Sequence, residues 1–461
     1  MLRKLRVSNS FPVKHILVMF LILFLSFSIN FFGVGSDDWY VEFQKDSDSL
    51  VLNKLVCSKD SNSWLIGQGI VAQKSYDVNC TQPMTAYYSQ IGLQGRIMQS
   101  LYVLVSFFSI DIQNFMLFIK VIVPLMSALV MLSFCYWVVK RFGTAEAYIV
   151  ALLIANSVWI VGFSKSLYWA MPLLFLPFIA TLYLFRKKDN LKLDTVFFIT
   201  LFIIFSAKFA SGYEYTSVVL ICVVSAIVTI GVLDNINAKR IAYLASASFI
   251  VGIFAFMFTI GVHTALIKNN VGSFDKAVSI VKQRVLERTS QGQDFKKYVY
   301  GGLGVTTPFA AEIMGQYLPL EIYKDTTPLV QTEFVSMANY ALLPMISYPI
   351  ALKEPLQTYV SSFFFSVIIF ISLSINTIRN IRKRGLVISK KLNNERALFM
   401  GAIIGLLGVL SWLVLARGHS YVHAHINGII FYLPYGLLLY TLLAIKLVKY
   451  LKKIKMVYVK K

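Results

Sequence analysis

Charge is scarce in this sequence. Asp, Glu, Lys and Arg make up 14% of 461 residues, and apolar types make up 57%, whereas a soluble domain carries about a quarter charged. A water-facing surface cannot be built from that inventory, so a soluble globular enzyme is excluded. Acidic residues are scarcer still, 22 against 44 basic ones, for a formal charge of +22. Also missing are a Walker loop, a Rossmann glycine pattern and an HExxH motif. Gly301-Gly302-Leu303-Gly304 has no following lysine and helix and reads as a hinge. No internal repeat or low-complexity tract occurs. With no cytoplasmic nucleotide-binding domain, an enzyme of this kind must receive its donor through the membrane.

The excess positive charge does not mark a nucleic-acid partner. Lys and Arg fall in short clusters between apolar runs, which is how membrane topology is encoded. The run beginning at Ile16 is too long for a signal-peptide core and reads as a first spanning helix. Further spans are expected at Phe115–Val139, Ala145–Phe163, Leu167–Phe185, Leu193–Ala207, Tyr215–Leu233, Ile241–Val262, Tyr359–Ile378, Leu398–Leu415 and Ile426–Ile445. The fold expected is an all-α polytopic membrane protein of about ten helices, with residues 1–461 forming one transmembrane domain. Most basic residues then lie with both termini, around Lys140, Arg186, Arg240, Arg379 to Arg396 and Lys446 to Lys461. The positive-inside rule makes that end cytoplasmic.

Two long loops are left outside, at about residues 33–114 and 263–357. In the first, Ala86 to Phe108 has the wide apolar spacing of a helix on the membrane surface. In the second, Phe274, Val278, Ile280, Val281, Val285 and Leu286 form an apolar stripe opposite Lys and Arg. Prolines from Pro308 to Pro355 break the remainder into short turns. Of the four cysteines, Cys135 and Cys222 lie in apolar runs and read as packing. Cys57 and Cys80 lie in the first external loop and are expected to pair, stabilising it by roughly 3 kcal/mol.

Four polar clusters sit at external helix ends, where ionisable groups mark function by default. Asp37 and Asp38, followed by Trp39 and Tyr40, can divide base and binding roles; an acidic, aromatic loop leaving a membrane gives the same pattern. Arg417, His419, Tyr421, His423 and His425 hold three of the five histidines and suit either a metal or a phosphate. Lys208, Gly212, Tyr213, Glu214 and Tyr215 join two spans, and Glu214 there could equally cap a helix. Lys165, Tyr168 and Trp169 fit a snorkelling lysine almost as well.

The acidic pair directly after the first helix, the two long external loops with interfacial helices, and the basic and histidine residues at later external ends together resemble the GT-C superfamily of integral membrane glycosyltransferases. Within it the chain is most similar to bacterial members that modify surface polysaccharides such as O-antigen in lipopolysaccharide. It lacks the WWDYG-like signature and the large soluble domain of the oligosaccharyltransferase branch. The resemblance implies a bacterial inner membrane enzyme with an external, periplasmic active site. It implies a polyprenyl-phosphate-linked sugar as donor and a glycan or lipid-linked acceptor. Asp37 or Asp38 would be the base. Arg417, His419, His423, His425 and Lys208 would bind the donor phosphate, and Glu214, Tyr213, Trp39 and Tyr40 the substrates. A divalent cation such as Mg or Mn is compatible with it.

Three other readings compete. An O-antigen polymerase or ligase would rely on Arg284, Arg288 and Lys296 and leave the Asp pair dispensable. A transporter or flippase would need ionisable groups at mid-bilayer and broken helices in matching halves. A scaffold would not need the Asp pair and the histidine cluster on the same side.

Overall fold

In a computed structural model the chain is helical, apart from one two-stranded pairing. The structure describes residues 13–34, 37–57, 66–70, 84–185, 191–289, 390–416, 419 and 424–459, the side chains of 37–46, 158, 390–393, 413, 424–427 and 457–459 excepted. The elements are α1 (Val13–Ile29), α2 (Asp37–Cys57), β1 (Gly69–Ile70), β2 (Thr85–Ala86), α3 (Leu93–Ser106), α4 (Ile112–Arg141), α5 (Thr144–Ala155), α6 (Val158–Lys165), α7 (Met171–Leu184), α8 (Leu191–Ser211), α9 (Thr216–Leu233), α10 (Ala238–Val271), α11 (Phe274–Arg288), α12 (Lys390–Leu415), a 3-10 helix η1 (Ala424–Tyr432) and α13 (Tyr435–Val459).

The helices α4, α8, α9, α10 and the Asn394–Trp412 part of α12 are each long and apolar enough to cross a membrane. The protein is therefore a multi-pass membrane protein, and apolar side chains such as Leu117, Val121, Ile199, Ile203, Phe254, Met257 and Leu407 stand exposed where lipid would meet them. In hydrocarbon each backbone polar group must find an internal partner, which helices supply.

Several expected boundaries are corrected. The single span expected over Ala145–Phe163 is two helices, α5 and α6, bent by 70°; Ser157 opens α6 by accepting the Ile160 amide at 3.3 Å. The span expected from Ile426 is η1 followed by α13, interrupted at Pro434, which has no amide to donate. The interfacial helix expected from Ala86 starts only at Leu93, because Thr85–Ala86 pairs antiparallel with Gly69–Ile70. α10 runs to Val271, 34 residues or about 51 Å, well beyond the expected end at Val262. Gly272, at φ +74°, closes it. The span expected at Tyr359–Ile378 lies outside the described residues.

The centre of the bundle is α9, packed against α7, α10 and α12. Gly401, Gly405 and Gly408 line up on α12 at spacings of four and three, the small-residue pattern that lets membrane helices approach. Ser225 donates to the Gly401 carbonyl at 2.7 Å. A Cβ at Gly401 would lie 1.9 Å from Thr229 Oγ1, so only glycine permits this contact.

One end of the bundle is tied by ion pairs within the basic clusters. Arg141 holds Asp234 through two bonds, at 2.6 and 3.2 Å. Arg240 meets Asp194 at 2.6 Å, and Lys446 and Lys449 both bond Glu395. The opposite end carries α2, α3, α11 and the turns that build the site.

α3 is inside out for a water-facing helix. Gln94 and Gln99 are buried, while Ile97, Leu101, Leu104 and the following Phe107 and Phe108 are exposed. That face suits acyl chains at the membrane surface.

Candidate functional site

The α8–α9 turn is the hub of that end. Lys208, buried in the last turn of α8, donates to the Gly212 carbonyl at 2.7 Å and so stabilises the helix C-terminus. Two residues on, Glu214 is 3% exposed. It is not used as a simple helix cap. Its Oε1 faces Arg288 at the end of α11, at 3.2 Å, and accepts from the Tyr168 hydroxyl at 3.4 Å. Burial, and next the Glu214 charge, push the Tyr168 phenol well above its usual pKa, so it remains a donor. Burial acts to lower Arg288, but Glu214 and the nearby tyrosines outweigh it and the net shift is upward. The guanidinium is thus a permanent cation. Counting Lys208 and Arg288 against Glu214, the cluster carries one excess positive charge.

Tyr168 is itself held from α2. The Asp48 carboxylate accepts from Ser166 Oγ at 2.9 Å and from the amides of Leu167 and Tyr168, each at 3.0 Å. These bonds delay the start of α7 to Met171, beyond the expected Leu167. They also fasten α2, whose first residues are Asp37 and Asp38, to the Glu214 cluster.

Beside this cluster opens a cavity of about 420 Å³ between α9, α10, α11 and α12. Leu220, Ile221, Phe249, Phe256 and Ile260 make its wall apolar, and Tyr213, His263, Arg284 and Arg288 line it with polar groups. Phe249 and His263 are separated by about 21 Å along α10, so the polar groups gather toward one end of a long apolar slot. The Tyr213 hydroxyl and His263 Nε2 are buried and have no hydrogen-bond partner among the described residues. Buried polar atoms of this kind ask for an explanation, and a polar ligand would supply one. Arg284 is held by Glu287 at 2.8 Å.

Of the sequence-predicted site residues, Lys208, Tyr213 and Glu214 come together here. His419 joins them indirectly: its ring meets Trp412 edge-on at 5.8 Å, and Trp412 lines the cavity and packs on Tyr215 at 4.8 Å. The side chains of Asp37, Asp38, Trp39, Tyr40 and His425, together with Arg417 and His423, lie outside the described residues. Cys57 is disulfide-bonded, and Cys80, its expected partner, also lies outside them. No group of three or more His, Cys, Asp or Glu able to hold a metal occurs among the described residues.

Arg288, His263, Asp48 and Gln90 have no part in the expected sugar-transfer site. Arg288 was visible only as the end of an amphipathic helix and as a residue of the polymerase reading. His263 was a lone histidine past the end of an expected span.

No family model matches the chain, and no curated protein matches it. Among solved structures, the chain is similar to the archaeal oligosaccharyltransferase AglB from Archaeoglobus fulgidus, determined in complex with an inhibitory peptide and a dolichol-phosphate. The identity is 13% and the TM-score 0.41, over 95% of this chain and 50% of that one. The chain thus spans half the length of the protein it matches.

Proposed function

We propose that the protein is a membrane glycosyltransferase that moves a sugar from a polyprenyl-phosphate donor to a hydroxyl of a glycan or lipid-linked acceptor, at the external end of the bundle. The observation that carries this reading is the cavity: an apolar slot between membrane helices whose polar residues include a half-buried, cationic Arg288. An amphiphile with a long apolar tail and an anionic head matches both parts, and the excess positive charge of the cluster favours the anion.

In this reading the acceptor hydroxyl gives its proton to Asp37 or Asp38 as its oxygen attacks the anomeric carbon. The bond between that carbon and the phosphate oxygen breaks, and polyprenyl phosphate leaves with the electron pair. Arg288, with Arg417 and the histidine cluster as further donors, stabilises the charge that develops on the phosphate. Asp48 keeps α2, and with it the base, in register with Tyr168 and Glu214.

Arg288 also favours a second reading, the O-antigen polymerase or ligase type, in which second-loop arginines are central. Sugar transfer from a polyprenyl-phosphate donor, measured with Asp37→Asn and Asp38→Asn chains, separates the two. A fall of at least about 10²-fold in one variant is expected of a lost base. Transfer near normal in both would leave the Asp pair without a role and remove the first reading.

A further inference from the structure

The β1–β2 pairing and the described segments flanking it lie beside the Glu214 turn and are unusually rich in buried amide side chains. Gln68 and Gln90 are both fully buried. They flank the paired segments in which Gly67 donates to the Ile91 carbonyl at 2.8 Å and Tyr87 to the Gln68 carbonyl at 3.1 Å. The side-chain nitrogen and oxygen of each lack a hydrogen-bond partner among the described residues. Gln94, in the first turn of α3, is different: its amide donates to the Tyr168 carbonyl at 2.6 Å. Leaving four amide atoms buried and unsatisfied is costly, and a sequence that needed only packing there would use leucine or methionine.

The position of Gln90 says what its amide faces. A Cβ on Gly212 would lie 2.8 Å from Gln90 Oε1 and 2.4 Å from Glu214 Oε2. The Gln90 amide and Glu214 Oε2 therefore close on one point beside a glycine that leaves them room. Glu214 Oε1 is occupied by Arg288 and Tyr168, and Oε2 makes no such bond among the described residues. The neighbour of Gln90, Ser89, is part of the cavity wall. A carboxamide presents two donors and an acceptor oxygen in a fixed plane, which matches a pair of vicinal hydroxyls, each both donor and acceptor.

We infer that Gln90 and Glu214 Oε2 form a hydroxyl-reading subsite for the ring of the transferred sugar, placed beside Arg288, which Glu214 Oε1 holds. This rests on the proposed donor class and adds which residues select among sugars. Gln90 is a specificity residue: the phosphate and the tail are held elsewhere, and its amide responds only to the ring hydroxyls.

The test compares binding of bare undecaprenyl phosphate with undecaprenyl-phosphate glucose, galactose, mannose and arabinose, to the purified full chain in lipid nanodiscs. At least one sugar-bearing lipid is expected to bind about tenfold more tightly than the bare phosphate. Gln90→Ala should erase that gain while leaving bare-phosphate affinity unchanged. A gain that survives in Gln90→Ala, or no gain with any sugar, overturns the subsite. Failure of the wild-type chain to bind bare undecaprenyl phosphate instead overturns the donor class, and the subsite with it. If Gln90→Ala loses bare-phosphate binding it has lost its fold, and Gln90→Asn, which keeps an amide but withdraws it, is then judged by the same two outcomes.

Discussion

Breaking the Glu214–Arg288 pair should be asymmetric, and the asymmetry can be worked from the two environments. The Glu214 side chain is 3% exposed and that of Arg288 19%. In Arg288→Met the carboxylate is left buried with the Tyr168 hydroxyl, 3.4 Å away, as its hydrogen-bond donor among the described residues, and with Lys208 as a nearby charge that makes no bond to it there. That is the situation in which removing one partner of a buried pair costs about 3–5 kcal/mol. In Glu214→Gln the guanidinium keeps partial access to water and the amide oxygen can still accept, so the cost should be about 1–2 kcal/mol. The double variant carries neither charge and should recover to within about 1 kcal/mol of wild type. Thermal midpoints of the four purified chains in one detergent give the order: wild type, then the double variant, then Glu214→Gln, with Arg288→Met lowest. Two single effects that are small and add in the double variant would mean the pair does not exist in the folded protein.

Asp48→Asn keeps the shape of the side chain but removes the charge from three hydrogen bonds, and should lower stability by roughly 2–3 kcal/mol. Transfer should fall with it while bare polyprenyl-phosphate binding holds, because Asp48 positions Tyr168 and does not touch the lipid. Lys54 on α2 supplies a pH test. Burial, and next the charge of Arg96, lower its pKa from 10.5 to about 8. Below that value both folded and unfolded chains hold the proton and the penalty of burying it is constant. Between about 8 and 10.5 only the unfolded chain still binds it, so stability rises with pH across that window. A thermal midpoint that climbs from about pH 8 to about pH 9.5 in wild type, and climbs less in Lys54→Met, is the expected result. Equal slopes would count against it.

The multi-pass architecture was legible because membrane insertion depends on local composition. Apolar runs marked the helices, and the basic clusters marked the end where Asp194, Asp234 and Glu395 find their Arg and Lys partners. Breaks within runs were less legible. Ser157 and Pro434 interrupt apolar stretches whose average hydrophobicity gives no sign of it, and the late start of α7 depends on Asp48, which arrives from another helix. Lys208, Tyr213 and Glu214 were found because ionisable and aromatic residues between two spans stand out. Arg288 was seen but not paired with Glu214, because their meeting is tertiary: it needs α11 to fold back over the α8–α9 turn. Gln68 and Gln90 gave no signal at all, since glutamine in a polar loop is ordinarily a surface residue and only burial without a partner makes it conspicuous.

The most direct measurement is an experimental structure of the full chain in nanodiscs with undecaprenyl phosphate. The phosphate is expected within about 4 Å of the Arg288 guanidinium, with the tail along Leu220 and Phe256 in the slot. A lipid phosphate seated instead among Arg141, Arg240 and Lys446 at the other end of the bundle, with the slot filled by protein, would contradict it.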